Sequence, residues 1–391
     1  MTTSPATRSG RPGTRSKTPA EGPGSGRRPR QRIVPPILVR QMRDSFEASV
    51  HRGDIVEVDG TGRVVRALGD PNRPVLLGAC GNPFAAAALI EAGGIEAFQL
   101  EPPEIALLAS SHSGEDLHVR TLQGIFRRTM LSQTFLACGS EGMPLDPLTA
   151  ARLARDGEKA GAVRHMCSGE HAVHILLSKL QGWDPETYWQ SGHPALTAVT
   201  GVVARALGAA PGKIEPAIDV CGLPTVVVPL HEVARAYAFL AEPDAVPAAD
   251  PRASLAPALR VVRDAMLENA EIVAGSRDRL DTSLMKAAPG RLISKTGSEA
   301  LRGIAILRGP RAKGGDARPS GLAIKIEDGG GHPRASWAAT VEALHQVGLL
   351  EAQALRALGR FHHPTTRDSH GRHLSSAIPK FELVPVGELT Q

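Results

Sequence analysis

Polar and apolar residues alternate along Asp54-Ile-Val-Glu-Val-Asp-Gly-Thr-Gly-Arg-Val-Val-Arg66, and Asp59-Gly60 in the middle is a turn signal, so this stretch predicts a β-hairpin. Helical spacing takes over downstream, over 83–91, 116–130 and 147–159. The stretch 168–182 places Ala172, Ile175, Leu176 and Leu180 on one face, with Ser168 as cap and Gly182 as terminator. His193-Pro194 opens a further helix to Leu207, and Ser254 is a candidate cap for a helix over 255–274 that ends at Gly275. Short β-rich runs follow at 291–295, 301–307 and 321–326, before helical spacing returns over 337–347 and 352–358. Strands toward both ends of a helical middle predict an α+β fold, an antiparallel sheet with a helical subregion. There is no internal repeat, and 242–251 is the best candidate for an internal boundary.

The first residues do not share this patterning. Residues 1–32 hold eight Lys and Arg against the single acid Glu21, more excess charge than the +5 of the whole chain, so the remainder is slightly acidic. The segment is rich in Gly, Pro, Ser and Thr and buries too little apolar surface to repay its ordering entropy. A disordered basic tail over 1–35 is therefore expected ahead of a domain over 36–391, the chain becoming foldable at Ile37-Leu38-Val39. The tail lacks aromatic residues for base stacking, so no specific nucleic-acid partner is expected. The 391 residues contain no apolar run long enough for a membrane span and no secretory signal, and the four cysteines are too scattered for a disulfide framework. A cytoplasmic protein without a membrane partner is expected, its thiols free or holding metal.

Three groupings carry candidate chemistry. Cys167 is followed at helical offsets by Glu170, His171 and His174, and Cys221 follows Asp219 by two residues at an expected strand end, where alternation points both side chains one way. Thiolate, carboxylate and imidazole are the usual zinc ligands, although small buried thiols beside a helix-face histidine account equally for this spacing. The cluster Leu108-Ala-Ser-Ser-His-Ser-Gly-Glu115 offers hydroxyls, an imidazole and an acid, suited to a nucleophile or to helix capping. Ser294-Lys-Thr-Gly297 ends a β-like run like the Lys-Thr-Gly element of serine acyl-enzymes, but Ser283-Leu-Met-Lys286 lies too near it in sequence to serve as the usual Ser-x-x-Lys partner.

Taken in order, Leu68-Gly-Asp-Pro-Asn-Arg-Pro-Val75, Ala109-Ser-Ser-His-Ser-Gly-Glu115, Cys167-Ser-Gly-Glu-His171, His193-Pro194, Asp219-Val-Cys-Gly-Leu-Pro-Thr225, Asp281-Thr-Ser-Leu-Met285, Lys325-Ile-Glu-Asp328 and Phe361-His-His-Pro364 resemble the thermolabile, Rhizobium-type L-asparaginase II family over about residues 37–365. The resemblance implies a serine β-lactamase-like fold, a homodimer, and release of ammonia from asparagine through two Ser–Lys pairs beside zinc. One pair maps onto Ser111 and Lys295. The other falls in Val75-Leu-Leu-Gly-Ala-Cys-Gly-Asn-Pro83, where the family has Arg-Ser-x-x-Lys-Pro and this chain has Ala79 for the serine and Asn82 for the lysine. Alanine has no nucleophile and asparagine does not titrate usefully, so this pair cannot act. Cys80 next to it is a third option as nucleophile, turned about 100° away if the segment is helical.

The implied zinc ligands map onto Cys167 and Cys221, with Asp219 as ligand or as a partner behind the ligands. Glu170 stands where the family has lysine, and a carboxylate ligates more readily than an ammonium. His112, Ser113, Glu115 and His171 are candidates to line the substrate site. The expected function is an asparaginase-type amidohydrolase acting on asparagine or a related small amide. The competing expectations are a catalytically inactive relative that binds a small molecule or partner, and a repurposed acyl-transfer or amide-forming enzyme.

Overall fold

Val and Ile fill the inner half of a long strand, β2 (Phe46–Asp59), where Ile55, Val56 and Val58 are buried and the two acids among them are neutralised from the side, Asp54 by Arg73 and Glu57 by Arg66. The computed structural model describes residues 33–139, 144–209, 214–310, 316–329 and 333–386, so the expected tail lies almost wholly outside the described residues. Val34–Gln391 forms one unit.

The strands, in chain order, are β1 (Ile37–Arg43), β2, β3 (Val64–Leu68), β4 (Pro74–Leu76), β5 (Glu215–Ile218), β6 (Pro224–Pro229), β7 (Leu292–Thr296), β8 (Leu301–Ile306), the short pair β9 (Gly309–Pro310) and β10 (Asp316–Ala317), β11 (Ser320–Ile326), β12 (Thr365–Arg367), β13 (His373–Pro379) and β14 (Val384–Pro385). The main sheet runs β12-β13-β1-β2-β11-β8-β7, with β3 also on β2 and β14 on β3, every pair antiparallel. The β2–β3 hairpin is closed by Asp59, whose Oδ1 accepts the N–H groups of Thr61 at 2.9 Å and Arg63 at 3.1 Å. A second sheet, β4-β6-β5, belongs to the helical region, which includes helices Asn82–Glu91, Pro102–Leu108, Asp116–Thr129, Ser168–Gln181, Pro194–Ala206 and Ala256–Glu268. The expected α+β arrangement is met. No helix among the described residues is long and apolar enough to cross a membrane.

Five local expectations are corrected. Ser168 does not cap its helix: Cys167 precedes the first turn without a side-chain bond, and Ser168 Oγ donates instead to Val163 O at 3.1 Å. Ser254 likewise donates to Pro251 O, while Asp250 caps the preceding 3-10 turn. The expected 255–274 helix breaks at Asn269, whose side chain donates to Ala265 O at 2.9 Å, and the short helix Ala270–Val273 follows. Asp219 and Cys221 lie in the turn between β5 and β6, closed by Asp219 N–H on Leu223 O and Gly222 N–H on Asp219 O, both at 2.9 Å, and the region 242–251 is folded into the single unit.

Helix Leu230–Ala241 lies across β2, β8 and β11 and couples the sheet to the site, because Tyr237 OH donates to Cys80 O at 2.9 Å. Its approach is close: a Cβ on Gly321 would collide with the Ala234 carbonyl oxygen and the Ala238 nitrogen, both backbone atoms that cannot turn aside. Gly321→Ala should therefore lower unfolding free energy by about 3 kcal/mol, read as a reduced denaturation midpoint at unchanged slope. A midpoint equal to wild type would show that the helix is free to lift.

Candidate active site

The loop after helix Pro102–Leu108 is held at nearly every backbone group. Asn82 Nδ2 donates to Ser110 O at 2.6 Å, Ser111 N–H to Val273 O at 3.1 Å, Arg279 Nη2 to Ser111 O at 3.0 Å and His112 N–H to Met166 O at 3.3 Å. Ser111 thus sits in a fixed backbone, 8% exposed, and its Oγ makes no hydrogen bond among the described residues. The neighbouring hydroxyls are committed or sealed: Ser113 Oγ donates to Glu115 at 2.6 Å, Ser168 Oγ to Val163 O, and Ser110 Oγ is buried without a partner.

His112, Ser113 and Glu115, expected to line the substrate site, are engaged inside the protein. His112 Nδ1 accepts from Gly114 N–H, which assigns the ring proton to Nε2 and directs it to Ser168 Oγ at 2.9 Å. Burial, then the parallel His118 ring 4.6 Å away, pushes His112 far below the usual imidazole range. Burial would raise Glu115, but hydrogen bonds from Ser113 and Ser276 and the charge of Arg277 hold it down.

Lys295 lies on β7, paired in register with Gly303 of β8, and is 1% exposed. Its Nζ donates to Thr296 O at 2.9 Å and makes no hydrogen bond to Ser111; what links the two is Arg279, which is bonded to Ser111 O and whose charge acts on Lys295. Burial lowers the Lys295 amine, against the opposing pull of Cys80 and Asp281. Beneath it Asp281 accepts from Ser294 Oγ at 2.6 Å, Thr296 Oγ1 at 2.6 Å, Thr296 N–H at 3.2 Å and from Arg302. The Ser283–Lys286 pair takes no part in this group, since Lys286 forms a half-exposed ion pair with Glu271.

The segment expected to replace the family Ser–Lys pair offers neither a hydroxyl nor an amine at Ala79 and Asn82. Ala79 is buried and Asn82 forms the first turn of helix Asn82–Glu91, its Oδ1 left without a partner. Cys80 is fully buried, donates to Lys295 O at 3.4 Å and is pushed up to about 11 by burial, which keeps it a thiol. Gly78, at the arginine position of the family pattern, has φ +48°, and a Cβ there would meet Ser298 Oγ at 2.7 Å.

Cys167, Glu170 and Cys221 come together, one ligand atom of each lying within 4.8 Å of the others. Glu170 Oε2 is buried without a hydrogen-bond partner, and burial, then Cys221 and Asp219, lift its carboxyl far above the carboxylate range. The Cys167 thiol hydrogen-bonds Cys221 and draws it down to about 5, while Cys167 itself is raised. Three acidic donors so close fit a divalent cation, whose charge would reverse the rises of Glu170 and Cys167 and hold Cys221 as thiolate. Asp219 stands outside the triplet: its Oδ1 accepts from Val220 N–H at 2.7 Å and Ser298 Oγ at 2.9 Å. His171 stands behind the triplet. Tyr188 OH accepts from Ala137 N–H at 2.9 Å and donates to His171 Nδ1, which assigns the ring proton to Nε2, in the field of Cys221.

The fold is α+β, with the Cys167–Glu170–Cys221 group, Ser111 and Lys295 as its candidate reactive groups. The chain belongs to the L-asparaginase II family, whose sequence model matches residues 39–378. Solved structures similar to it include Mglu, at 15% identity and TM-score 0.37, with 79% of this chain and 66% of that chain covered. A β-lactamase from Burkholderia ambifaria shows 15% identity and TM-score 0.34, covering 76% and 95% of the two chains. One from Desulfarculus baarsii shows 16% and 0.33, covering 76% and 92%. No curated protein matches the chain.

Sequence patterning gave no role to Asp281, Arg302, Arg279 or Tyr188; Asp281 lay inside a quoted motif, but its partners, 13 and 21 residues away, carry no periodic signal. Burial would raise the Asp281 carboxyl, yet Arg302 and the hydroxyl donors hold it at about 2 against an ordinary 3.8. A depressed folded value contributes stability above about pH 4, here about 2 kcal/mol, that is lost as pH falls toward 2. Asp281→Asn should cost about 3–5 kcal/mol at neutral pH by leaving Arg302 buried and unpaired. Its stability should also fall less steeply than wild type's between pH 4 and 2 in urea titrations. Parallel acid limbs for the two proteins would refute the assignment.

Proposed function

We propose that the protein hydrolyses a small amide, with Ser111 as nucleophile and Lys295 as its base. The observation that carries this reading is the Ser111 hydroxyl, fixed by its backbone and unbonded at Oγ, in the neighbourhood of a fully buried amine lowered by that burial. A lysine made less basic by desolvation is the kind that accepts a proton from a serine hydroxyl near neutral pH. On this reading Lys295 Nζ takes the Ser111 proton as Oγ attacks the amide carbon. The C–N bond breaks, the same proton leaves with ammonia, and water releases the acid from the Ser111 ester. L-Asparagine is the first substrate to try, given the family.

A zinc ion held by Cys167, Glu170 and Cys221 belongs to the proposal, supported by the triplet and by the unpartnered Glu170 oxygen. When bound it would supply Lewis-acid polarisation of a carbonyl oxygen. Asp219 would hold the β5–β6 turn that carries Cys221, through Val220 N–H and Ser298.

Loss of the family dyad at Ala79 and Asn82 favours a second reading, an inactive protein that binds small amides without cleaving them. Two measurements decide. Ammonia release from asparagine, glutamine and simple amides should be detectable and fall at least about 100-fold in Ser111→Ala, a size set by loss of the nucleophile; silence from the wild type on every amide leaves binding alone. Zinc content should be near one per chain and drop below a tenth in Cys167→Ser, measured by elemental analysis after dialysis. Equal zinc in both proteins removes the metal from the proposal.

A further inference from the structure

Cys167 and Cys221 each give one sulfur to the triplet, so their Sγ atoms lie within 4.8 Å of each other, the Cys167 thiol hydrogen-bonded to Cys221. A disulfide holds its sulfurs at about 2 Å, so the pair has at most about 3 Å to close. Cys167 is fixed. Its N–H donates to His165 Nδ1 at 3.1 Å, and its carbonyl accepts His171 N–H at 3.0 Å at the start of helix Ser168–Gln181. Cys221 lies on the β5–β6 turn between Val220, which is 76% exposed, and Gly222, at φ +87°, where an added Cβ would meet nothing within 4 Å. That turn has open space beside it, and Cys221, more exposed than Cys167, is the sulfur an oxidant meets first. The other two thiols are engaged elsewhere, Cys80 with Lys295 O at 3.4 Å and Cys138 with Ala162 O at 3.5 Å. Of these only Cys138 lies in the field of Cys221, which makes it the rival partner.

We propose that Cys167 and Cys221 form a reversible disulfide with hydrogen peroxide as oxidant, and that this link and a bound divalent cation exclude each other. Cys221 Sγ takes one oxygen from peroxide: an S–O bond forms, the O–O bond breaks and water leaves. Cys167 Sγ then attacks the sulfenic sulfur, the S–O bond breaks, and a second water carries off the Cys167 thiol proton. Two thiols are oxidised and one peroxide is reduced to two waters. The disulfide rests only on where the two sulfurs lie. The exclusion rests on the metal reading above, because the link consumes two of the three donors and leaves Glu170 alone.

The full chain, reduced and dialysed free of metal, is treated with a small molar excess of hydrogen peroxide. Thiols titrated under denaturant should fall from four to two, and peptide mapping without reductant should join the Cys167 and Cys221 peptides. Zinc uptake by the oxidised protein should fall below about a tenth of the reduced protein's and return with dithiothreitol, and zinc loaded beforehand should slow thiol loss at least about tenfold. These readings use the wild type, so none depends on a variant folding. Cys138→Ser should still lose two thiols, and Cys167→Ser should hold a sulfenic acid on Cys221 that dimedone traps. If the reduced protein takes up no zinc yet the link forms, the metal reading fails and the disulfide stands. Four thiols surviving peroxide, a link through Cys138, or equal zinc uptake by the reduced and oxidised proteins would each overturn the proposal.

Discussion

The carboxylate of Asp281 joins three segments: its own helix, β7 through Ser294 and Thr296, and β8 through Arg302. Taking an ion pair out of water is costly, and the cost is recovered only when both partners gain further hydrogen bonds, as both do here through Ser294. Because side chains alternate along a strand, Ser294 and Thr296 turn toward Asp281 while Lys295 turns to the opposite face. A one-residue slip of β7 against β8 would put Lys295 on the acid and Thr296 in its place, so the buried pair fixes the register that presents the amine.

Charge around the site is sorted by sign. Cys167, Glu170, Cys221 and Asp219 crowd one side, where Cys221 and Asp219 raise the cost of ionising both Cys167 and Glu170. Lys295 lies in the field of both Glu170 and Cys167, and Arg279 adds a second positive group by Ser111. On the hydrolase reading, fixed cations close to Ser111 are what an attacked carbonyl needs as its oxygen gains negative charge, since they require no reorganisation at the moment of reaction. On the metal reading, a divalent ion would answer the crowded acidic groups more directly than Lys295, whose amine also lies in the field of Cys80 and donates to Thr296 O.

Much of the architecture was legible because period-2 and helical spacing are local properties of sequence. The hairpin at Asp59, the strands β7, β8 and β11 and helix Ser168–Gln181 were all readable this way. Strand β13, with half-buried Ser376 and buried Ser375, has no apolar alternation to announce it, and helix Leu230–Ala241 is buried so broadly that its polar face is short. The misread caps have one cause: a hydroxyl placed to cap can equally donate to a carbonyl a few residues back, and Ser168 and Ser254 both do. In the site, Ser111, Lys295 and the cysteines were visible as residue types in order. The Asp281–Arg302 pair and the Arg279 bond to Ser111 O were not, because strand register and long-range side-chain partners have no trace in spacing.

The segment around Ala79 and Asn82, where the expected Ser–Lys pair is absent, has a structural part in the site. Asn82 spends its amide N–H on Ser110 O, a bond that fixes the peptide leading into Ser111, and leaves Oδ1 buried and unbonded. A buried unsatisfied acceptor costs about 1–3 kcal/mol, so the residue is poorly optimised for packing alone. Gly78 and Ala79 present no side-chain polar atoms, and the space a Gly78 side chain would enter is met by Ser298, which is bound to Asp219 and so to the turn carrying Cys221. The segment has become a joint between the Ser111 loop and the β5–β6 turn. On the hydrolase reading, that arrangement leaves Ser111, with its rigidly held backbone and unbonded Oγ, as the hydroxyl available for attack.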